Sequence, residues 1–369
     1  MGNSGKGLVG WFLLGFFLMI FGGNYEVNGA KLATAMFNFG DSLTDCGNNN
    51  NLASLAKSNY VPYGIDFFMG PTGRFCNGRT IADFLGELLG LPYIPPFEDP
   101  NTKDRNLLSG VNYASAAAGI LDETGYQLGD RISLSQQVLN FESTLNELRG
   151  VLGGVNPRLM EFLSKSIAFV VFGSNDYINN YLLPSLYTTS YNYSPEAYSN
   201  LLLTHYTRQI LALHSLGLRK FVLAGVGPLG CIPNQLATGL APNGSCVTYV
   251  NEIVGSFNIG LRDLVTQLNA NHPNATFIYG NVYGALGDIL HNPSTYGFKV
   301  ANRGCCGLGR NEGQITCLPL ATPCPNRNEY VFWDAFHPTE AVNNILAHRA
   351  FTGPPSVCYP INVQELAMR

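Results

Sequence analysis

The chain has 369 residues, 46% of them hydrophobic, with a formal net charge of −4 and only 12% charged residues, against roughly a quarter in an average soluble protein. That length supports a core that stands alone. With no basic block and a slight acidic excess, nucleic acid is excluded as a partner, and the surface must be kept wet by Asn, Ser, Thr, Gly and sugar.

The chain opens with a single lysine, Lys6, ahead of the apolar run LVGWFLLGFFLMIF from Leu8 to Phe21, followed by the small residues Gly29 and Ala30. The run is shorter than the roughly 20 residues that cross a bilayer, so residues 1–30 read as a secretory signal peptide rather than an anchor or a buried helix. The start MGNSGK has no Ser or Thr at its sixth position, which disfavours myristoylation. Residues 31–369 are then expected to form one domain, since no linker, repeat or low-complexity segment interrupts them. Export implies an oxidising compartment. Of the nine cysteines, Cys305, Cys306, Cys317 and Cys324 crowd into one Gly- and Pro-rich loop without a histidine, which favours disulfides over zinc. An odd count leaves at least one thiol over. Sequons at Asn192, Asn243 and Asn274 are candidate glycan sites.

Strands are predicted over 34–40, 110–115, 166–172, 220–226 and 275–281, each short and apolar on both faces as in a buried parallel sheet. Helices are predicted over 80–90, 133–150, 194–217 and 246–273, the third opened by Ser194-Pro195-Glu196 and closed by Gly217. Five strands alternating with helices give an open α/β fold, a three-layer α/β/α sandwich with a mainly parallel five-stranded sheet. Ligands of such sheets bind beyond the carboxyl ends of the strands, near the switch in strand order. Ser42, in "FNFGDSLTDCGNNN" (37–50), stands just past the first strand, where a site is expected.

Other motifs fall away on their mechanics. "GVGPLG" (225–230) matches GxGxxG formally, but Pro228 lies inside it, "CIPNQ" follows where a helix should open, and no acid occurs until Glu252. It reads as a tight loop with no dinucleotide. A P-loop, an HExxH helix and a GxSxG elbow are absent. A nucleophilic serine needs a base and an acid to orient it. Two pairs have an aspartate three residues before a histidine, Asp288–His291 and Asp334–His337, a spacing too common by chance to decide alone. His291 falls in the last turn of a short helix, where a histidine suits the dipole for structural reasons. Asp334 and His337 lie in an aromatic loop with Phe332, Trp333 and Phe336, just before a helix expected to start at Pro338. His205, His214, His272 and His348 sit on or just after helices and read as structural. For an oxyanion hole, Asn175 in "FGSNDY" at the end of the third predicted strand offers a side-chain amide, and the small residues of "GVNYASAAAGI" let a backbone N–H come close.

"FNFGDSLTDCGNNN", "GVNYASAAAGI", "FGSNDY" and "DAFHP" occur in the order of the conserved blocks of the GDSL esterase/lipases, a branch of the SGNH hydrolases, and the chain resembles the plant-type secreted group from about Ala33 to Cys358. The resemblance implies the SGNH, flavodoxin-like fold, with Ser42 as nucleophile, His337 as general base, Asp334 as its orienting partner and Asn175 as oxyanion donor. The Ser42 N–H would be a second donor. The position at which the family usually carries the oxyanion glycine is Ala117 here, with Gly119 nearby, and either N–H would be the third.

The expected function is a secreted serine ester hydrolase acting through an acyl-enzyme on small-molecule or polymeric esters, lipid or acyl, with no metal or organic cofactor required. The same machinery would serve a polysaccharide O-acetyl esterase or an acyltransferase. A non-catalytic secreted glycoprotein, keeping the fold as a binding module, is the alternative from another class.

Overall fold

The computed structural model describes residues 1–2, 31–240 and 245–369. The signal peptide expected over 1–30 therefore lies outside the described residues but for its first two, and so does Asn243. In chain order the strands are β1 (Met36–Gly40), β2 (Ile167–Val171), β3 (Lys220–Ala224), β4 (Thr276–Gly280), β5 (Val300–Gly304), β6 (Tyr330–Phe332) and β7 (Cys358–Tyr359). The helices are α1 (Ile81–Leu88), α2 (Leu134–Val151), α3 (Asn156–Ser164), α4 (Ser174–Asp176), α5 (Thr189–Asn192), α6 (Pro195–Ser215), α7 (Pro233–Ala237), α8 (Thr248–Asn271), α9 (Val282–His291), α10 (Glu340–Thr352) and α11 (Val363–Met368).

β1, β2, β3 and β4 pair parallel in that order, with Met36 level with Ile167, Ile167 with Lys220 and Lys220 with Thr276. β7 adds to β4 antiparallel, and β5 and β6 form a small parallel pair of their own. Side chains alternate between the two faces with the strand period of two. Phe37, Phe39, Val170, Phe221, Leu223 and Phe277 pack with α2, α6 and α8, while Met36, Phe169, Val171, Val222, Ala224 and Ile278 pack with α1, α10 and α11. Both faces are thus covered, which is why the strands read as unbroken apolar runs, and the result is the expected three-layer sandwich.

The sequence reading is corrected at one strand and at one helix start. Residues 110–115 run along the outer edge of β1, where the N–H groups of Asn38, Tyr113 and Ser115 donate to Val111, Asn38 and Gly40 at 3.0, 2.8 and 3.0 Å. They do not form a strand, because the amides of Asn48 and Asn49 take the carbonyls of Asn112, Ala114 and Ala116 on the far side. The fifth strand is instead the two-residue β7, whose shortness hides it from any periodicity. The last long helix begins at Glu340 with Thr339 as its N-cap residue, because Pro338 is engaged in a bridge with Phe332. By contrast, α6 starts and stops as its sequence predicts: the Ser194 hydroxyl accepts from the Ala197 N–H at 3.2 Å, and Gly217 follows at φ 121°.

The chain leaves β1 toward the 110–115 edge and returns to the other side as β2. The carboxyl ends of β1 and β2 therefore flank the reversal in strand order, the place where open α/β sheets bind ligands.

Candidate active site

Ser42 is presented by a tight turn. The Asp41 carbonyl accepts from the N–H groups of Thr44 and Asp45 at 3.1 and 2.9 Å, and the Asp41 carboxylate accepts from Leu43 N–H at 3.0 Å. Beneath the turn, the Gln137 side chain from α2 clasps both backbone groups of Gly40, at 2.9 and 2.8 Å. The nucleophile candidate thus stands on a strand end held from below. Its Oγ lies 2.8 Å from His337 Nε2.

His337 and Asp334 share one turn between β6 and α10. The Asp334 Oδ1 accepts from the backbone N–H of Phe336 and of His337 at 2.9 and 2.8 Å, which folds the chain back on the carboxylate. That brings His337 Nδ1 to 2.8 and 2.9 Å from the two carboxylate oxygens. The Tyr63 hydroxyl donates to Oδ2 at 2.6 Å and Thr316 does so at 3.2 Å. Burial pushes the Asp334 carboxyl up, but the facing imidazole and the hydrogen bonds from His337, Tyr63 and Phe336 outweigh it and hold the group below its ordinary range. The imidazole is lodged between Phe75 and Phe336. Disulfides Cys305–Cys324 and Cys306–Cys317 frame this turn, the N–H groups of Cys305 and Cys306 donating to Phe332 and Trp333 at 3.0 and 2.7 Å. A third bridge joins Cys231 to Cys246, while Cys46, Cys76 and Cys358 are free and buried.

The candidate oxyanion donors Ser42, Asn175 and Ala117 border one cavity. Asn175 lies on α4 just past β2; its Oδ1 accepts from Asn179 Nδ2 at 2.7 Å, and its own Nδ2 donates to the Ala118 carbonyl at 3.0 Å. Asn175 lines the cavity beside Ser42, and among the described residues its Nδ2 has no second acceptor. Ala117 borders that cavity too and adopts φ 65°, the left-handed conformation a glycine would take. The cost of order 1–3 kcal/mol for such a residue is carried by its surroundings. Asp45 accepts from Ala116 N–H at 3.1 Å, Ser115 donates to Asn49 at 2.6 Å, and Asp176 takes the N–H groups of Ile120 and Leu121 at 2.8 and 3.1 Å. Among the described residues neither the Ser42 nor the Ala117 N–H has a protein acceptor. Gly119 does not border the cavity; a Cβ there would meet Thr124 and Asp176 within 2.6 Å, so it is a glycine for packing.

Three carboxyls of this scaffold form no ion pair among the described residues, although His337 lies near enough to Asp41 to oppose the effect of its burial. Burial raises Asp41 to about 7, Asp45 to about 6 and Asp176 to about 6, opposed by the backbone N–H bonds each accepts. Among the described residues no group of three or more His, Cys, Asp or Glu is placed to hold a metal ion. The GVGPLG loop opens no long helix; it forms a wall of the cavity next to Ser42.

The remaining sequence candidates lie apart. Asp288 bonds Arg349 at 3.0 Å and the Tyr296 hydroxyl, and His291 Nδ1 bonds the Gly287 carbonyl of its own helix at 2.6 Å. His205 and His214 lie on α6 and His348 on α10, while His272 follows α8. Asn192 and Asn274 are exposed, as a glycan site requires. Sequence reasoning missed Tyr63, Thr316 and Asn179, which hold Asp334 and Asn175 in place. It also missed the role of Asn48 and Asn49, whose amides pin the segment leading to Ala117. Long-range partners leave no local pattern.

A serine, an imidazole and a buried carboxylate stand in hydrogen-bonded sequence beside an amide donor at the carboxyl edge of an open, mainly parallel sheet, an arrangement suited to Ser–His–Asp chemistry. A model of the GDSL-like lipase/acylhydrolase family matches residues 36–350. The chain is 58% identical over 342 residues to GDSL esterase/lipase At1g71250 of Arabidopsis thaliana, covering 93% of this chain and 91% of that one. It is also 55% identical over 364 residues to GDSL esterase/lipase At5g08460 of Arabidopsis thaliana (98% and 94%), and 54% identical over 338 residues to GDSL esterase/lipase 7 of the same plant (91% and 92%). The chain belongs to the GDSL esterase/lipase family and is a carboxylic ester hydrolase.

Proposed function

We propose that Ser42 attacks the ester carbonyl while His337 takes its proton, and that the alcohol leaves with that proton from His337. Water then reverses these roles and releases the acid, with Asp334 steadying the imidazolium. The developing oxyanion would be met by the Asn175 amide and the N–H groups of Ser42 and Ala117. The observation that carries this reading is the unbroken relay of 2.8 Å contacts from Ser42 Oγ through His337 to Asp334. Intact, it also removes the ground for a non-catalytic binding module. We further propose that residues 1–30 direct export and are removed, leaving 31–369 as a secreted, glycosylated domain. Three disulfides support an oxidising compartment, and no helix among the described residues is long and apolar enough to cross a membrane. Turnover of a chromogenic ester by purified wild type and by Ser42→Ala tests the nucleophile: the variant should lose all measurable activity while keeping its fold, and retention of most of it would assign the attack elsewhere.

A further inference from the structure

To stabilise an oxyanion, Asn175 has to present hydrogen rather than oxygen, and a primary amide can turn over. A row of three side-chain amides fixes its direction. The Asn175 Nδ2 faces the Ala118 carbonyl at 3.0 Å, and a carbonyl can only accept. Its Oδ1 is thereby left toward Asn179, which donates from Nδ2 at 2.7 Å. Asn179 in turn presents its own Oδ1 to Gln127, whose Nε2 donates at 3.2 Å. The Gln127 Oε1 accepts from the Tyr187 hydroxyl at 2.5 Å. That hydroxyl accepts from the Tyr126 N–H at 3.1 Å and lies 3.2 Å from the Glu123 carbonyl, so at this end the hydrogen comes from the phenol. All the bonds of the row point one way, and its two ends agree on the direction.

The backbone around the row is shaped to hold it. Asn179 lies in a single π-helical turn, Tyr177–Tyr181, at φ −114° and ψ 17°, outside the helical range; such one-turn departures are frequent at functional sites. The Asn179 carbonyl accepts from the Gly125 N–H at 3.3 Å. Gly125, at φ 78°, opens the short turn that carries Gln127, and a Cβ there would come within 2.2 Å of the Ala117 carbonyl. The stretch 125–127 therefore reaches both sides of the oxyanion region, Ala117 through Gly125 and Asn175 through Gln127 and Asn179. Gln127 itself is half-buried and borders neither cavity beside Ser42. Contact with substrate does not account for its place.

We propose that Gln127 is a positioning residue for ester hydrolysis: acting through Asn179, it keeps the Asn175 amide turned with nitrogen toward the oxyanion. The proposal rests on Asn175 as an oxyanion donor. Reversing one end of the row should reverse the rest. In Gln127→Glu the ionised carboxylate keeps the shape and the bond from Tyr187 but has no hydrogen to give. Asn179 then turns its Nδ2 toward position 127 and its Oδ1 toward Asn175. Two facing oxygens repel, and the Asn175 amide is driven over, with oxygen where nitrogen stood.

We would measure kcat and KM for 4-nitrophenyl butanoate at about pH 8, where a glutamate near its ordinary range is ionised. The proteins are wild type, Gln127→Glu, Gln127→Met, Asn175→Ala and the double variant of Gln127→Glu with Asn175→Ala. Gln127→Glu should lower kcat at least about 10-fold with KM changed less than about 2-fold, the signature of an interaction made in the transition state. Gln127→Met, which removes the donor without reversing the row, should lower kcat less than about 3-fold. In the Asn175→Ala background Gln127→Glu should change kcat less than about 2-fold, because the amide it misdirects is gone. Equal losses in the Glu and Met variants, a change in KM alone, unchanged kcat in Gln127→Glu, or a further full fall in the double variant would each overturn the assignment. If Gln127→Glu fails to fold by circular dichroism, Asn179→Asp makes the same reversal one step nearer and carries the same expectations. Full kcat in Asn175→Ala would show instead that Asn175 is no oxyanion donor, a failure of the underlying reading that takes the role of Gln127 with it.

Discussion

Asp334 and His337 lie in a turn between β6 and α10, whereas Asp288 and His291, at the same spacing, lie on α9. On the helix the backbone N–H groups are committed to the helix ladder. The two side chains go separate ways, Asp288 to Arg349 at 3.0 Å and His291 back to the Gly287 carbonyl. In the turn the N–H groups of Phe336 and His337 are free to wrap the Asp334 carboxylate, and that wrapping is what carries the imidazole onto the same oxygens. Burial completes the difference: Asp334 is sealed from solvent with Tyr63 on its second oxygen, while His291 is exposed. Spacing nominates a pair, and backbone conformation with enclosure decides whether it is a dyad.

Substituting both pairs would break or sharpen this contrast. Asp334→Asn should lower kcat roughly 10⁴-fold by favouring the wrong imidazole tautomer, whereas Asp288→Asn should leave ester turnover within 2-fold. Equal losses in steady-state assays would show that spacing alone matters. Asn175→Ala should lower kcat roughly 10²–10³-fold with KM little changed, the size expected of one oxyanion donor. A change confined to KM would make Asn175 a wall of the pocket only. Tyr63→Phe removes one hydrogen bond to a charged group, worth about 1.5–3 kcal/mol, so kcat should fall at least about 10-fold; unchanged kcat would show that the turn alone positions Asp334.

The smallest expected effect concerns stability and contrasts Asp334 with the unpaired carboxyls. Asp41, Asp45 and Asp176, raised to about 7, 6 and 6, keep protons in the native state that the unfolded chain has released above about pH 4. Their contribution is full below that pH and is lost as pH rises toward 7. Asp334 works in the opposite sense, its contribution being lost only as pH falls below the unfolded value. The thermal midpoint by calorimetry should therefore be a few °C higher at pH 5 than at pH 8, and Asp41→Asn should narrow that gap. A midpoint that climbs steadily to pH 8 would contradict the buried protons.

Much of this protein was legible residue by residue. The apolar runs at 166–172, 220–226 and 275–281 became β2, β3 and β4 because a strand covered on both faces must be apolar throughout. Ser42, Asn175, Asp334 and His337 stood out because each lies at a strand end or in a turn, where local chemistry marks them. The run at 110–115 misled, since its pattern is that of a strand while side-chain amides 64 and 66 residues away claim its carbonyls.

What the sequence determined by itself was therefore local: element order, the disulfide-rich loop and the residue types of the site. Tertiary structure alone decided that Tyr63 would seat Asp334 from 271 residues away, that Asn179 would orient the Asn175 amide, and that Ala117 would hold a glycine-like backbone. It also decided that α9, α10 and the sheet would leave a largely apolar cavity beside the serine. Periodicity and capping act over a few residues and so are written in neighbouring letters. Clamps and cavities arise where distant segments pack, and only the folded chain brings those together.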